Sequence, residues 1–256
     1  MNPVRAKKHL GQHFLTDENI AGKIVNSLGP ADRVLEIGPG TGVLTKYLIN
    51  KADELKLIEI DSESVAWLRT AFPGLSQNII EADFLKLDLT QIFKDEFSLI
   101  GNFPYNISSQ IFFRILEHRH LIPEAVGMIQ KEVAERLTAS PGNKVYGILT
   151  VLLGAFYVTE YLFTVNEKVF SPPPKVKSAV IRLQRKADFS LDCDEKLFFR
   201  IVKSAFNQRR KTLRNSLRQY TGENPDIAKN DIFNQRPEQL STAEFVKLTR
   251  LISGDR

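Results

Sequence analysis

The tetrapeptide Asn102-Phe103-Pro104-Tyr105 sets an amide, an imino acid of fixed φ and two aromatic rings where an apolar run, Phe97-Ser98-Leu99-Ile100, leaves its strand. A plain turn needs none of these. Chemistry on the exocyclic amine of a purine can use all of them. Such an amine is a poor nucleophile, because its lone pair is delocalised into the ring. Two hydrogen-bond acceptors on its N–H groups localise that pair. The Asn102 side-chain oxygen and the Phe103 carbonyl, held by the rigid φ of Pro104, are the candidate acceptors. Tyr105 is the candidate platform on which the base stacks for in-line attack on a methyl group. No tuned general base is required, since the amine becomes acidic once alkylated and water can take the proton. A base reaches such a pocket by leaving its stack.

Three signals upstream suggest the second substrate. "EIGPGTG" carries Gly38, Gly40 and Gly42, which let the backbone turn tightly against a ligand at a helix N-terminus. Glu59 follows Gly38 by 21 residues, at the end of the next strand, where a carboxylate suits the two hydroxyls of a ribose. This much fits NAD(P) or S-adenosylmethionine. Asp83, in "EADF", can accept from an adenine amino group, and the set leans toward S-adenosylmethionine. A dehydrogenase gives no use for the Asn102-to-Tyr105 tetrapeptide.

These groups need a frame. "RVLEI", "ELKLIEID", "NIIEAD", "FSLIGN" and "EAVGMIQ" read as strands, and helical stretches fall between them: Asp17 to Leu28 before the first, then Ser62 to Ala71, Ser108 to His118 and Lys131 to Ala139. Alternating strands and helices imply βαβ units and a mostly parallel sheet. The candidate groups then collect at its carboxyl edge, where ligands sit in such folds. "AFYVTEYLFTV" and "SAVIRLQ" are two further strands with no long helix between them, so an antiparallel pair is expected. "VFSPPPKVKSA" between them is a stiff extended loop. After Lys186 the pattern is helical and basic, through "DEKLFFRIVKSAFNQRRKTLRNSLRQY" and a last helix capped by Ser241. The expected division is a catalytic domain over 1–186 and a helical domain over 187–256.

The 256 residues are 43% hydrophobic and 25% charged, the balance of a soluble globular protein. The longest apolar run, Ile148 to Phe156, is too short to span a bilayer. The basic N-terminus has no apolar h-region, and a single cysteine, Cys193, excludes an intramolecular disulfide, so a cytoplasmic location is expected. The net charge of +5 is uneven. Arg5, Lys7 and Lys8 crowd the start, and Arg200 to Arg218 holds seven Lys/Arg and no acid. Both clusters suit a polyanion. The four histidines, His9, His13, His118 and His120, have no zinc spacing, and no metal is expected.

Taken in order, "GQHFLTD", "EIGPGTG", "IEID", "EADF", "GNFPYNIS", "VFSPPPKVKSAVIRL" and "FNQRRKTLRNSL" resemble the ribosomal RNA adenine N6,N6-dimethyltransferases of the bacterial KsgA type, over Arg5 to about Arg218. The resemblance implies a Rossmann-like class I S-adenosylmethionine-dependent methyltransferase sheet with a small C-terminal all-helical domain. It implies two methyl transfers to each of two adjacent adenosines in the 3′-terminal hairpin loop of 16S rRNA, on the small ribosomal subunit late in assembly, by a monomer. Carried onto this sequence, His13 and Leu15 touch the donor, Gly38 and Gly40 underlie its methionine part, and Glu59 holds its ribose. Asp83 holds its adenine, and Asn102 lies by the methyl. Arg5, Lys7, Lys8, Arg209, Arg210, Lys211 and Arg214 face the RNA. His13 stands where many relatives have asparagine, and Phe103 where leucine is common. The Erm type, which methylates one adenosine of 23S rRNA, shares the donor motifs, but the proline loop and "FNQRRKTLRNSL" favour the KsgA type. A non-catalytic assembly factor on the same fold is the alternative of another class.

Overall fold

Short apolar runs buried on both faces become a parallel sheet, and that is what the first half of the chain builds. A computed structural model describes residues 4–222 and 226–254; residues 1–3, the start of the basic N-terminus, lie outside them. Nine strands follow in order: β1 (Phe14–Leu15), β2 (Arg33–Ile37), β3 (Glu54–Glu59), β4 (Ile79–Glu81), β5 (Ser98–Asn102), β6 (Glu124–Gln130), β7 (Tyr157–Val165), β8 (Phe170–Ser171) and β9 (Ser178–Arg185). Seven form one sheet in the order β4-β3-β2-β5-β6-β9-β7. The first five run parallel, and β9 lies antiparallel to β6. The strand order reverses between β2 and β5, so their carboxyl ends open the crevice where such sheets bind ligands.

The two-residue strand β1 pairs antiparallel with β8, Leu15 opposite Phe170. The sequence gives no alternation over so short a stretch. This pairing ties the "GQHFL" segment to the start of the proline loop.

The chain divides into two compact units, one running to Ala134 and resumed over Thr159–Arg185, the other made of Glu135–Val158 and the chain from Lys186. The helical unit thus takes Glu135–Val158, which the linear division at residue 186 assigned to the catalytic domain. The reason is the helix Ile148–Phe156, whose Val151, Leu152, Leu153 and Phe156 are buried. An apolar run of that length reads equally as strand or buried helix. Packing decides for helix, against the helices Glu195–Asn207 and Thr242–Ser253. The strand expected from Ala155 therefore begins at Tyr157. In this unit Phe206 stacks on Phe245 at 5.9 Å, and Ser241 and Glu244 form a reciprocal capping box.

The basic stretch is not one helix. It breaks after Asn207 and resumes as Leu213–Ser216 and Arg218–Thr221. The Leu213 N–H donates to Gln235 O at 2.8 Å, a tertiary bond in place of a helical one.

Candidate active site

The turn after β2 uses φ of +64° at Gly38 and +56° at Gly40, a region that a Cβ makes costly. A Cβ on Gly40 would also stand 2.9 Å from the Phe14 ring. The turn locks onto the end of β3. Gly40 N–H donates to Glu59 Oε2 at 3.0 Å, and the N–H groups of Ile60 and Asp61 donate to Oε1 at 2.9 Å each. Burial pushes the Glu59 pKa up, against those three donors. Beneath it, Glu36 is wholly buried in β2, and its Oε2 accepts from the Thr45 hydroxyl at 2.7 Å. Burial raises its pKa to about 8, so it is predominantly a neutral acid at pH 7.

The segment before β1 lies along the cleft. Lys7 pairs with Asp61, and Gln12 Nε2 donates to the other Asp61 oxygen at 3.1 Å. Asp61 in turn caps the helix Ser62–Ala71. This anchoring delivers the His13 carbonyl to Asn102, whose Nδ2 donates to it at 2.9 Å. Only the NH₂ end of the amide can face a carbonyl, so Oδ1 is left as the outward acceptor. It makes no hydrogen bond among the described residues, and neither does the Phe103 carbonyl.

Phe103 is fixed from below. Its N–H donates to Met128 O at 3.0 Å, and its ring is 1% exposed. The ring occupies space that a Cβ on Gly127 would enter at 2.4 Å. Burying that side chain stabilises by roughly 1.5–3 kcal/mol. Tyr105 is held at its tip, where its hydroxyl meets Ser178 Oγ at 2.5 Å at the start of β9. The His13 ring lies nearly parallel to the Tyr105 ring, centroids 5.5 Å apart. Its Nδ1 lies 2.8 Å from Pro172 O. A carbonyl only accepts, so Nδ1 carries the proton. The imidazole thus joins the proline loop to the catalytic turn.

His13, Gly38, Gly40, Glu59, Asn102, Phe103, Pro104 and Tyr105 line one cleft. Leu15 and Asp83 do not. The Leu15 side chain is buried in the core, and Asp83 accepts from its own turn at Leu85 and pairs with Lys86 at 3.5 Å. Sequence reasoning missed Gln12, Phe14 and Ile60, which also line the cleft. The available signal was continuity, since each adjoins a residue already singled out.

The basic residues divide as well. Lys7 is occupied by Asp61. Arg209 donates to Lys144 O at 2.5 Å, and Arg214 to Asn234 Oδ1 at 2.9 Å. Arg5, Lys8, Arg210 and Lys211 are exposed, with no side-chain partner among the described residues. His118 and His120 lie beyond the helix Ser108–Glu117, and their rings come within 6.1 Å. Among the described residues no group of three His, Cys, Asp or Glu is placed to hold a metal. Nor is any described helix long and apolar enough to cross a membrane.

A family model described as ribosomal RNA adenine dimethylase matches residues 4–252. The chain belongs to that family. It is 59% identical over 259 residues to the ribosomal RNA small subunit methyltransferase A of Flavobacterium johnsoniae, covering 100% of this chain and 98% of the relative. Among solved structures it is similar to a dimethyladenosine transferase from Plasmodium falciparum, with a TM-score of 0.77 and 28% identity, covering 92% of this chain and 96% of that one. It is also similar to the 23S rRNA methyltransferase ErmE, with a TM-score of 0.68 and 28% identity over 92% of this chain and 99% of that one. This rRNA adenine dimethylase is therefore an S-adenosylmethionine-dependent enzyme on a class I methyltransferase sheet.

Proposed function

We propose that this dimethylase modifies two adjacent adenosines in the 3′-terminal hairpin loop of small-subunit rRNA, acting in the cytoplasm as a monomer, with the cleft as its donor and base site. One observation carries the reading. The two acceptors that the chemistry requires, Asn102 Oδ1 and the Phe103 carbonyl, are both without a partner among the described residues, while the Asn102 amide nitrogen, the Tyr105 hydroxyl and the Glu59 carboxylate beside them are bonded.

The cleft suits the donor. Gly38 and Gly40 present bare backbone, and Glu59 offers carboxylate oxygens to a pair of hydroxyls. Ile60, 51% exposed beside Glu59, gives an apolar face for the donor's base. S-Adenosylmethionine supplies, when bound, a methyl group on an electrophilic sulfonium. Asn102 Oδ1 and the Phe103 carbonyl accept from the two N–H groups of the target amine and localise its lone pair. Tyr105 stacks on the target base, and its bond to Ser178 keeps the ring from turning away. His13 is a positioning residue, since its carbonyl sets the Asn102 amide and its ring abuts Tyr105. Asp83 and Leu15 support the site from outside the cleft. Arg5, Lys8, Arg210 and Lys211, exposed and without a side-chain partner among the described residues, supply cations for the rRNA backbone.

Large-subunit rRNA is the rival substrate, favoured by the fold shared with ErmE. The named small-subunit relative at 59% identity weighs against it. The deciding experiment is transfer of labelled methyl groups to small subunits that lack dimethyladenosine, with fully modified small subunits and large subunits as controls. Incorporation confined to the unmodified small subunits, approaching four methyls per particle, is expected. Incorporation into large subunits only would overturn the reading.

A further inference from the structure

The break in the basic stretch leaves a groove that the methyl-transfer chemistry does not use. Its walls are the end of the helix Glu195–Asn207 and the short helices that follow, and its lining includes Asn207, Gln208, Asn215, Ser216 and Arg218. Among the described residues no carboxylate lines it. The side-chain amides of Asn207 and Gln208 make no hydrogen bond among the described residues. Asn215 uses one N–H, to Thr212 Oγ1 at 3.4 Å, and keeps its carbonyl oxygen free. Arg218 is exposed, without a side-chain partner among the described residues. Ser216 is 5% exposed, and its buried hydroxyl has no partner either. Unpaired buried hydroxyls are uncommon in folded proteins and call for a specific cause.

An amide offers a donor and an acceptor side by side, the pattern that pairs with the edge of a nucleobase. Proteins read RNA sequence mainly at unstacked single-stranded nucleotides, whose edges are open to such groups. Four amides face this groove: Gln219, which donates to Ser204 Oγ at 3.3 Å, and Asn207, Gln208 and Asn215, which lie inside a stretch with seven Lys/Arg and no acid. We infer that this groove binds one unstacked nucleotide of the rRNA substrate, with Asn207, Gln208 and Asn215 on the base edge and Arg218 on the adjoining phosphate. The inference rests on the small-subunit reading above, and it makes the helical unit a reader of sequence as well as of charge.

The test is equilibrium binding of the full chain to unmodified small subunits across a salt series, with methyl transfer measured in parallel. Asn207→Ala/Asn215→Ala should bind about tenfold more weakly, the discrimination of roughly one lost base contact. Its log–log salt slope should stay at the wild-type value, because no phosphate contact is lost. Arg218→Ala should lower the slope by about one. Gln208→Ala removes an exposed amide with no partner among the described residues, so it should keep Tm while still weakening subunit binding. This variant holds the test if the double variant misfolds. Wild-type binding by Gln208→Ala and by a folded double variant, with subunits still methylated, would overturn the groove and leave the substrate reading standing. Weakened binding to subunits with unchanged binding to protein-free small-subunit rRNA would assign the groove to a ribosomal protein and overturn the inference. A wild-type chain that neither binds nor methylates small subunits would overturn both.

Discussion

The cleft at the carboxyl edge of the sheet and the basic stretch at Arg209–Arg218 both hold polar side chains that we propose serve the same substrate, yet they are built in opposite ways. In the cleft nearly every functional group is already bonded. Asn102 is set by His13, Tyr105 by Ser178, and Glu59 by three backbone N–H groups. Asn102 Oδ1 and the Phe103 carbonyl, the proposed acceptors for the target amine, have no partner among the described residues. In the basic stretch Arg210, Lys211 and Arg218 have no side-chain partners among the described residues. The difference follows from what each must do. Lowering a barrier needs groups that do not reorganise when charge develops. Neutralising a polyphosphate needs only charge at the right density, and long flexible side chains supply it through counterion release.

That contrast can be broken most sharply at Asn102. Asn102→Ala removes a fixed acceptor and should lower single-turnover transfer by about 10²–10³-fold, the order seen when one preorganised hydrogen-bonding group is deleted. A loss under fivefold, with donor binding intact by calorimetry, would mean that the amide is not an acceptor. Tyr105→Ala should lose about 1–3 kcal/mol of base stacking. Tyr105→Phe keeps the ring and frees only Ser178, so it should fall less; equal losses would locate the effect in the hydroxyl.

Gly127→Ala probes the rigidity itself. Its Cβ would press within 2.4 Å of the Phe103 ring, and overpacking of that kind destabilises by about 1–3 kcal/mol. Tm and transfer should fall together. Phe103→Leu added to it should recover part of both, a non-additivity expected of residues in contact. Simple additivity would show that the ring does not carry the strain. Arg210→Glu/Lys211→Glu tests the loose region. It should weaken subunit binding at low salt and flatten the salt dependence, while leaving donor affinity unchanged. Unaltered binding at low salt would make these charges bystanders.

The smallest effect on catalysis is expected at Glu36. Its folded pKa is raised by burial to about 8 from an ordinary value of 4.5, so the folded chain holds a proton that the unfolded chain releases between those values. Wild-type stability should therefore fall as pH rises from about 4.5 to about 8 and then level. Glu36→Gln lacks this titration. Its Tm should gain on the wild type across that window, with transfer near pH 7 little changed, because both side chains are mainly uncharged there. A Tm difference flat in pH would mean that the carboxyl is ionised in the fold.

Much of this molecule was written along the chain. The parallel strands, their order of appearance, the glycine turn, Glu59 and the Asn102-to-Tyr105 turn are all local signals: apolar runs, positive-φ glycines and a proline act within a few residues. Tertiary structure decided what local signals cannot carry. It made Ile148–Phe156 a helix, because burial on every side erases the periodicity that separates helix from strand. It broke the basic stretch at Gln208 to Thr212, because Leu213 found a carbonyl at Gln235. It withdrew Lys7 to Asp61 and drew Asp83 into its own turn, because charge in a sequence does not state its partner. The residues of the chemistry were legible because their types and order are the chemistry. Which atoms stay free to perform it depended on bonds reaching across 89 residues from His13 to Asn102 and 73 from Tyr105 to Ser178, and only the folded chain forms those.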